Sequence, residues 1–337
     1  MVPAGSNDGI PGGERLSSSL QLIERLRDGR FHSGEELGAV LGISRSAVWK
    51  KIKKINSEFG VIVHSVSGRG YRLAREIGLL AQQSRFEGRF FAWDVLILET
   101  VDSTNAEALR RLALGNVAPY AVVAEQQTFG RGRRGRVWVS PFGENLYFSL
   151  VIKVERGVKQ LEGLSLVVGL AVAEALRGAG LKKVGLKWPN DVLVDGRKIA
   201  GILLELVGDL ADVCHVVIGV GINVNMLRAP KTIDQDWTSA SLEVGGLIDR
   251  NALLMALQTQ LDEYLAAHVR HGFAAFTDEW ALSDLWSDKV VILSSGERKV
   301  VGIAKGVDAT GALRLLVDGC INTYSGGELS LRLQHDS

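Results

Sequence analysis

The chain reads as an α/β protein of the α+β kind, with an N-terminal winged helix-turn-helix, a central sheet with helices and a small C-terminal β-barrel. Three observations carry that reading. Residues 19–78 hold short amphipathic helices followed by a two-strand signal, residues 79–285 alternate apolar strands with helical stretches, and residues 286–337 are strands separated by turn dipeptides. Ahead of them, residues 1–18 have the composition of a flexible leader. With 337 residues, 46% of them hydrophobic and 23% charged, there is material for more than one core, and the disorder signature of low hydrophobicity with high net charge is absent.

In the first part, "LQLIERLRDG" (20–29) places Leu20, Ile23 and Leu26 on one helical face and stops at Asp28-Gly29. "HSGEELGAVLG" puts Ser33 and Glu36 in capping-box spacing, turns Leu37, Val40 and Leu41 inward and ends on Gly42. The next helix is capped by Ser44 and repeats Val48, Ile52 and Ile55 at helical spacing. Two helices across a glycine-containing turn make a helix-turn-helix, and "VIVHSVSGRGYRLA" alternates like two strands joined at Ser67–Gly70, a wing.

Charge singles out the same part. Net charge is +1, but residues 1–73 hold 11 Lys and Arg against 7 Asp and Glu (+4), leaving 28 against 31 (−3) in the rest. Arg45, Lys50, Lys51, Lys53 and Lys54 crowd the third helix with no acid before Glu58. Lysines there suit phosphates, Arg45, Ser46 and Trp49 suit base edges in a major groove, and Arg69 sits in the wing. The alternative is the solvated basic face of a protein-binding winged helix. One such module reads one half-site, so specific binding to operator DNA calls for a dimer.

Cys214 and Cys320 are too few and too far apart for a disulfide framework or a zinc cluster, and they suit a reducing cytoplasm. The start of the chain lacks the basic and apolar regions of a signal peptide, and no run long enough to cross a membrane occurs.

The densest motif is "AEQQTFGRGRRGRVWVSPF" (124–142). Gly130, Gly132 and Gly135 have dinucleotide-fingerprint spacing, but no helix opens after them: "RVWVSPFGENLYFSLVIKV" continues as strand and turn. A Walker A sequence is absent, and a Gly-Arg RNA-binding tail would be long and unbounded by strands. What remains is an ordered loop in which glycines admit a ligand to the backbone while Arg131, Arg133, Arg134 and Arg136 offer bidentate bonds to carboxylate or phosphate. With no acid nearer in sequence than Glu125 and Glu144, these arginines predict a ligand with more than one anionic group.

In "LKWPNDVLVDGRKIAGILLE" (186–205), Asp195-Gly196 is a type I′ hairpin signal and Lys198 enters an apolar strand, either as an edge residue or as a ligand-pairing cation. Asp191 is either a turn cap or a carboxylate for a hard cation. "VVIGVGINVN" adds a strand. "ETVDSTNAEA" is a strand-to-helix junction where Asp102, Ser103 and Thr104 compete as N-cap, with free amides for polar recognition.

Taken in order, "DSTN", "EQQTFGRGRRGRVWVSPFGENLYFS", "KWPNDV", "GRKIAGIL" and "GVGIN" resemble the biotin-protein ligases, and the winged helix in front is similar to the bifunctional bacterial form that is also a biotin operon repressor. That resemblance spans nearly all of the chain after residue 18. It implies a mixed sheet of the class II synthetase kind and an SH3-like terminal barrel. It also implies a two-step reaction: biotin and Mg-ATP give biotinyl-adenylate, then a lysine of the biotin carboxyl carrier domain of acetyl-CoA carboxylase attacks the anhydride. Adenylate binding is expected to favour a homodimer that bridges two half-sites.

By the same resemblance Ser103, Thr104, Asn105, Gln127 and Gly130 meet biotin, and Arg131 lies near its carboxylate. Arg133 and Arg136 close over the adenylate, Trp138 covers adenine, and Lys198 bonds the acyl-phosphate. Lys187, Asn190 and Asp191 match the ATP and Mg2+ end, with Asp191 the metal ligand, and Asn223 is a nucleotide contact. Lys198, Arg131 and Arg133 carry catalysis, and Arg332 and Glu328 face the nucleotide or the carrier. Two alternatives stand beside this: a lipoate or octanoate ligase on the same fold, and a transcription factor that senses a ligand without turning it over.

Overall fold

The computed structural model describes residues 17–80, 93–155, 157–209, 214–228, 233–325 and 329–334. The chain divides into two compact units, residues 1–89 and 90–337. The expected leader falls outside the described residues up to residue 16.

The first unit holds α1 (Ser18–Leu26), α2 (Gly34–Leu41), α3 (Arg45–Glu58) and the antiparallel hairpin β1 (Val63–Val66) with β2 (Gly70–Leu73). Serine starts each helix. The side chains of Ser17, Ser33 and Ser44 accept from the backbone N–H of Leu20, Glu36 and Ala47, so α1 begins and ends earlier than its apolar pattern suggests. Ser33 caps as expected, but the Glu36 side chain does not reach back to complete the box. It meets His32 Nδ1 at 2.9 Å, and Asp28 holds His32 Nε2 at 3.0 Å. Burial lowers the His32 pKa and these two acids more than restore it, leaving it above its usual value.

The α2–α3 turn corrects the expected inward face. Val40 is 58% exposed, and the inward position is taken by Gly38. A Cβ there would lie 2.6 Å from the Ile43 carbonyl oxygen, so only glycine lets α2 come this close to the turn. Val48, Ile52 and Ile55 are buried as the spacing predicts.

In the second unit seven strands form a mixed sheet in the order β3-β4-β5-β9-β8-β7-β6. They are β3 (Asp94–Val101), β4 (Tyr120–Gln127), β5 (Leu146–Val154), β6 (Val184–Lys187), β7 (Asp191–Val194), β8 (Arg197–Gly208) and β9 (Cys214–Ile222). Only β3 and β4 run parallel, joined by α4 (Thr104–Ala113). α4 packs on β4, β5 and β9, where Ala108, Tyr120, Val122, Val151 and Val217 form a buried cluster. The other half of the sheet is covered by α5 (Leu164–Gly178), apolar on nearly every side because β6, β7 and β8 lie on one side and α7 (Arg250–His271) on another. A short α6 (Ala240–Val244) precedes α7.

Leu253, Leu254, Leu257, Leu261 and Leu265 form the buried apolar face of α7. Gly272, at φ 70°, ends α7, and α8 (Thr277–Ser283) follows a 3-10 turn. Both residues of the Asp195-Gly196 turn have positive φ (48° and 80°), as a type I′ hairpin requires.

The terminal strands β10 (Val290–Ser295), β11 (Arg298–Val307), β12 (Leu313–Val317), β13 (Cys320–Tyr324) and β14 (Leu329–Leu333) form a five-stranded antiparallel sheet in the order β13-β12-β11-β10-β14. It is stitched to the larger sheet through Trp188, whose Nε1 donates to the Gly311 carbonyl at 3.1 Å. Among the described residues no helix is long and apolar enough to cross a membrane.

Candidate active site

A cavity of about 340 Å³ opens beside the C-terminal end of β4 and the β8–β9 pair. Glycines make its floor flat. Gly201 of β8 and Gly221 of β9 are register partners, and a Cβ on Gly221 would fall 2.5 Å from the Trp138 indole. Trp138 therefore lies against bare backbone, with the Lys198 ammonium 5.6 Å from its ring centre. The arginine loop that delivers Trp138 is an ordered excursion. Trp138 N donates to Gly130 O at 2.9 Å and Gly132 N to Arg136 O at 2.7 Å, while Arg134 (φ 59°) and Gly135 (φ 69°) turn the tip.

One end of the cavity is polar but uncharged. Gln127 Oε1 accepts from Thr104 N at 2.8 Å and from Thr104 Oγ1 at 3.1 Å, and Gln127 Nε2 donates to Ser140 Oγ at 2.9 Å. Ser103 sits at the N-cap of α4 without a side-chain cap bond, and Asp102 accepts from Ser103 N at 2.7 Å. The N-terminal amides of α4 are thus held by Asp102 and by a side chain from β4. Ser149 Oγ lies 2.6 Å from Asn105 Oδ1 and 2.8 Å from Thr104 Oγ1, which completes a buried row of hydroxyls and amides.

The other end is cationic. Lys198 Nζ and Lys187 Nζ stand 2.6 Å and 3.2 Å from the two carboxylate oxygens of Asp191. Burial pushes the Asp191 carboxyl up, but the two ammonium charges outweigh it and hold the group below the usual carboxylate range. Burial pulls Lys187 down, against Asp191, and the charges of Lys198 and Arg136 add to that pull. The Lys198 backbone is clamped by Asp236 O (2.9 Å) and Thr238 N (2.9 Å). Arg133 donates to Asn190 Oδ1 and to the Leu329 carbonyl, both at 3.0 Å, so the terminal sheet helps position the loop.

Of the residues singled out in the sequence, Ser103, Thr104, Asn105, Gln127, Arg131, Arg133, Arg136, Trp138, Lys187, Asn190, Asp191, Lys198 and Asn223 all line this one cavity. Gly130 does not. It is buried behind the wall, where a Cβ would lie 2.4 Å from the Trp138 carbonyl oxygen. Asn223 braces the rim, donating through Nδ2 to Thr238 O at 3.0 Å. Arg332 is exposed on β14, next to the lining residues Ser330 and Leu331, and Glu328 lies outside the described residues.

Glu125, the nearest acid ahead of the arginine loop in sequence, forms a buried ion pair with Arg250 of α7 at 2.5 Å. The loop's acid is Glu205, in the middle of β8, 2.9 Å from Arg131. Glu205, Trp237 and the Leu329 backbone all escaped sequence reasoning, although a lone acid in the apolar run "GILLELV" was a signal for the first. Asp191 and Asp234 are the acidic side chains among the described lining residues, and no group of three metal-ligating side chains exists among the described residues. One carboxylate already between two lysines is no protein cage for Mg2+; it fits a cation that enters coordinated by nucleotide phosphates.

In the first unit, Arg45, Ser46, Trp49, Lys50 and Lys53 are all exposed on α3. Trp49 is 46% exposed with Lys53 Nζ 3.9 Å from its ring centre, and Arg69 of the wing stacks 4.5 Å from the Phe31 ring. Lys51 is set apart, bonded to Ser18 of α1.

Fold and cavity define the class: a ligase of small acids, built on a mixed sheet with a terminal β-domain and preceded by a helix-turn-helix module. Family models agree, matching "HTH domain" at residues 19–72, "Biotin/lipoate A/B protein ligase family" at 98–223 and "Biotin protein ligase C terminal domain" at 287–332. The chain is 43% identical over 314 residues to the bifunctional ligase/repressor BirA of Salmonella typhimurium and 42% identical to that of Escherichia coli, in both cases over 93% of this chain and 97% of the relative. The biotin protein ligase of Aquifex aeolicus, solved in complex with biotin and ATP, superposes with a TM-score of 0.63 at 34% identity, over 72% of this chain and 99% of that one. The chain belongs to the bifunctional biotin ligase/repressor family.

Proposed function

We propose that the protein activates biotin with ATP as biotinyl-adenylate and transfers biotin to a lysine of the carrier domain of acetyl-CoA carboxylase, and that it represses transcription through its winged helix. The observation that carries the ligase reading is the polarity of the cavity, neutral and hydrogen-bonding at Thr104 and Gln127, cationic at Lys187, Lys198 and Arg133. A ligand with an uncharged polar head and a carboxylate to be joined to a phosphate matches both ends.

Roles follow from position. Ser103, Thr104, Asn105 and Gln127 hold the ureido head, and Trp138 on its glycine floor covers the adenine. Lys198 and Arg133 meet charge that develops between carboxylate and α-phosphate, so catalysis is positioning and electrostatic stabilisation with no covalent enzyme intermediate. Lys187, Asn190, Arg136 and Asn223 serve the nucleotide, and Mg2+ comes in with ATP beside Asp191. Residues 19–78 form the DNA-binding module, with Lys50 and Lys53 on phosphates and Arg45, Ser46 and Trp49 toward base edges. Residues 79–285 are catalytic and 286–337 complete the loop's anchorage. Adenylate favours a homodimer, because only differential affinity for the dimer-competent state lets a ligand control DNA binding.

The test is pyrophosphate release from Mg-ATP with biotin, lipoate, octanoate or no acid. Turnover with biotin alone is expected. Turnover with lipoate or octanoate instead would transfer the reading to the other branch of the fold.

A further inference from the structure

Glu205 lies on β8 just behind the cavity wall and is not part of its lining, yet two lining residues converge on it. Its Oε2 accepts from Arg131 Nη2 at 2.9 Å and from Asn105 Nδ2 at 2.6 Å. Asn105 is itself buried, and its Oδ1 lies 2.6 Å from Ser149 Oγ. Ser149 meets Thr104, Thr104 meets Gln127, Gln127 donates to Ser140, and Ser140 donates to the Trp138 carbonyl at 2.9 Å. The chain of bonds begins at Arg131 and ends at Trp138, the two ends of the arginine loop. It passes through α4, β5 and β4 on the way, and Glu205 is the one carboxylate in it.

An exposed Arg–Glu pair by itself adds little, and the Arg131 side chain is 44% exposed. Here the carboxylate is also fixed from behind by a buried amide, which removes most of its freedom before Arg131 arrives. Arg131 is held by Glu205 as Lys187 and Lys198 are held by Asp191, so each acid fixes cations of the cavity in place.

We infer that Glu205 is a positioning residue of the acid-binding end: through Arg131 it anchors the arginine loop, and through Asn105 it sets the row of polar groups that meets the ligand's uncharged head. The second half of this rests on the biotin reading; the first half does not.

Glu205→Gln separates the two bonds, since an amide oxygen still accepts from Asn105 while the ion pair with Arg131 is lost. Two readouts are taken on Glu205→Gln, Arg131→Met and the double variant. The first needs no substrate: trypsin cleavage within residues 131–136 should be about three- to tenfold faster in Glu205→Gln, with other sites unchanged, as loss of one charged hydrogen bond implies. The second is adenylation kinetics, where KM for biotin should rise by a similar factor and kcat change less. The double variant should be no worse than Arg131→Met alone, because the two residues act as one unit. Cleavage and KM equal to the parent's in Glu205→Gln, or single effects that multiply in the double variant, would overturn the inference. A parent protein that makes no biotinyl-adenylate would instead remove the biotin reading and leave the trypsin comparison to decide the loop anchor.

Discussion

Two regions of this protein concentrate positive charge, and they use it in opposite ways. On α3 the cations other than Lys51 are exposed, and the ion pairs among them are weak: Arg45 is 3.7 Å from Glu35 and Lys54 3.5 Å from Glu58, both pairs largely in water. In the cavity, Lys187 and Lys198 share the buried Asp191, Arg131 holds Glu205 and Arg133 holds Asn190 and Leu329. Loose cations on a rigid helix suit a long polyanion that supplies its own regular charge. Cations fixed before the ligand arrives suit a small anion whose charge develops at one point, where preorganisation spares reorganisation during the reaction.

The sharpest way to break this comparison is to remove one cation from each region. Lys198→Ala should lower adenylate formation by about a thousandfold, at the upper end of what loss of one preorganised charge produces, with the unfolding midpoint little changed. Acid-quenched single-turnover assays measure it, and an active variant would end the comparison. Lys50→Ala or Lys53→Ala should leave adenylation untouched. Each should weaken DNA binding about equally on all sequences and reduce the slope of log affinity against log salt by about 1. A slope unchanged in both variants would place these lysines off the DNA.

A smaller test lies in an acid whose burial outweighs its nearby cation, Lys289. Asp191 is held low by two lysines, whereas burial pushes Asp284, between α8 and β10, up to about 6 despite the N–H of Trp286 at 2.9 Å. A carboxyl raised in the folded state stabilises the fold below its unfolded pKa, and that stability is lost as pH rises through the folded value. Asp284→Asn should therefore match the parent near pH 4 and melt a few degrees higher at pH 7.5. An equal difference at both pH values would contradict the assignment.

How much of this was legible in the sequence follows from the same contrast. α3 was readable because its charge, its Ser44 cap and its Val48–Ile52–Ile55 face are all local. Val40 was misplaced because Gly38 packs against the Ile43 carbonyl, a contact no helical period encodes. The arginine loop was readable as an ordered ligand loop, since glycine and arginine at that density have few other uses. Its restraints were not, because Glu205 and Leu329 lie on other strands, and the nearby Glu125 is consumed by Arg250. Helix spacing is a property of neighbours, whereas a cavity is assembled from strand ends that meet only after the sheet has formed.

The most direct test of the central claim is to mix the protein with Mg-ATP and biotin, separate it from free ligand by rapid gel filtration, and acid-quench the protein fraction. Biotinyl-adenylate retained in stoichiometric amount, and discharged to biotinyl-carrier and AMP when a carrier domain is added, is the predicted result. Protein that retains unreacted biotin and yields no adenylate would contradict it, and would make the fixed cations of the cavity a sensor's rather than a ligase's.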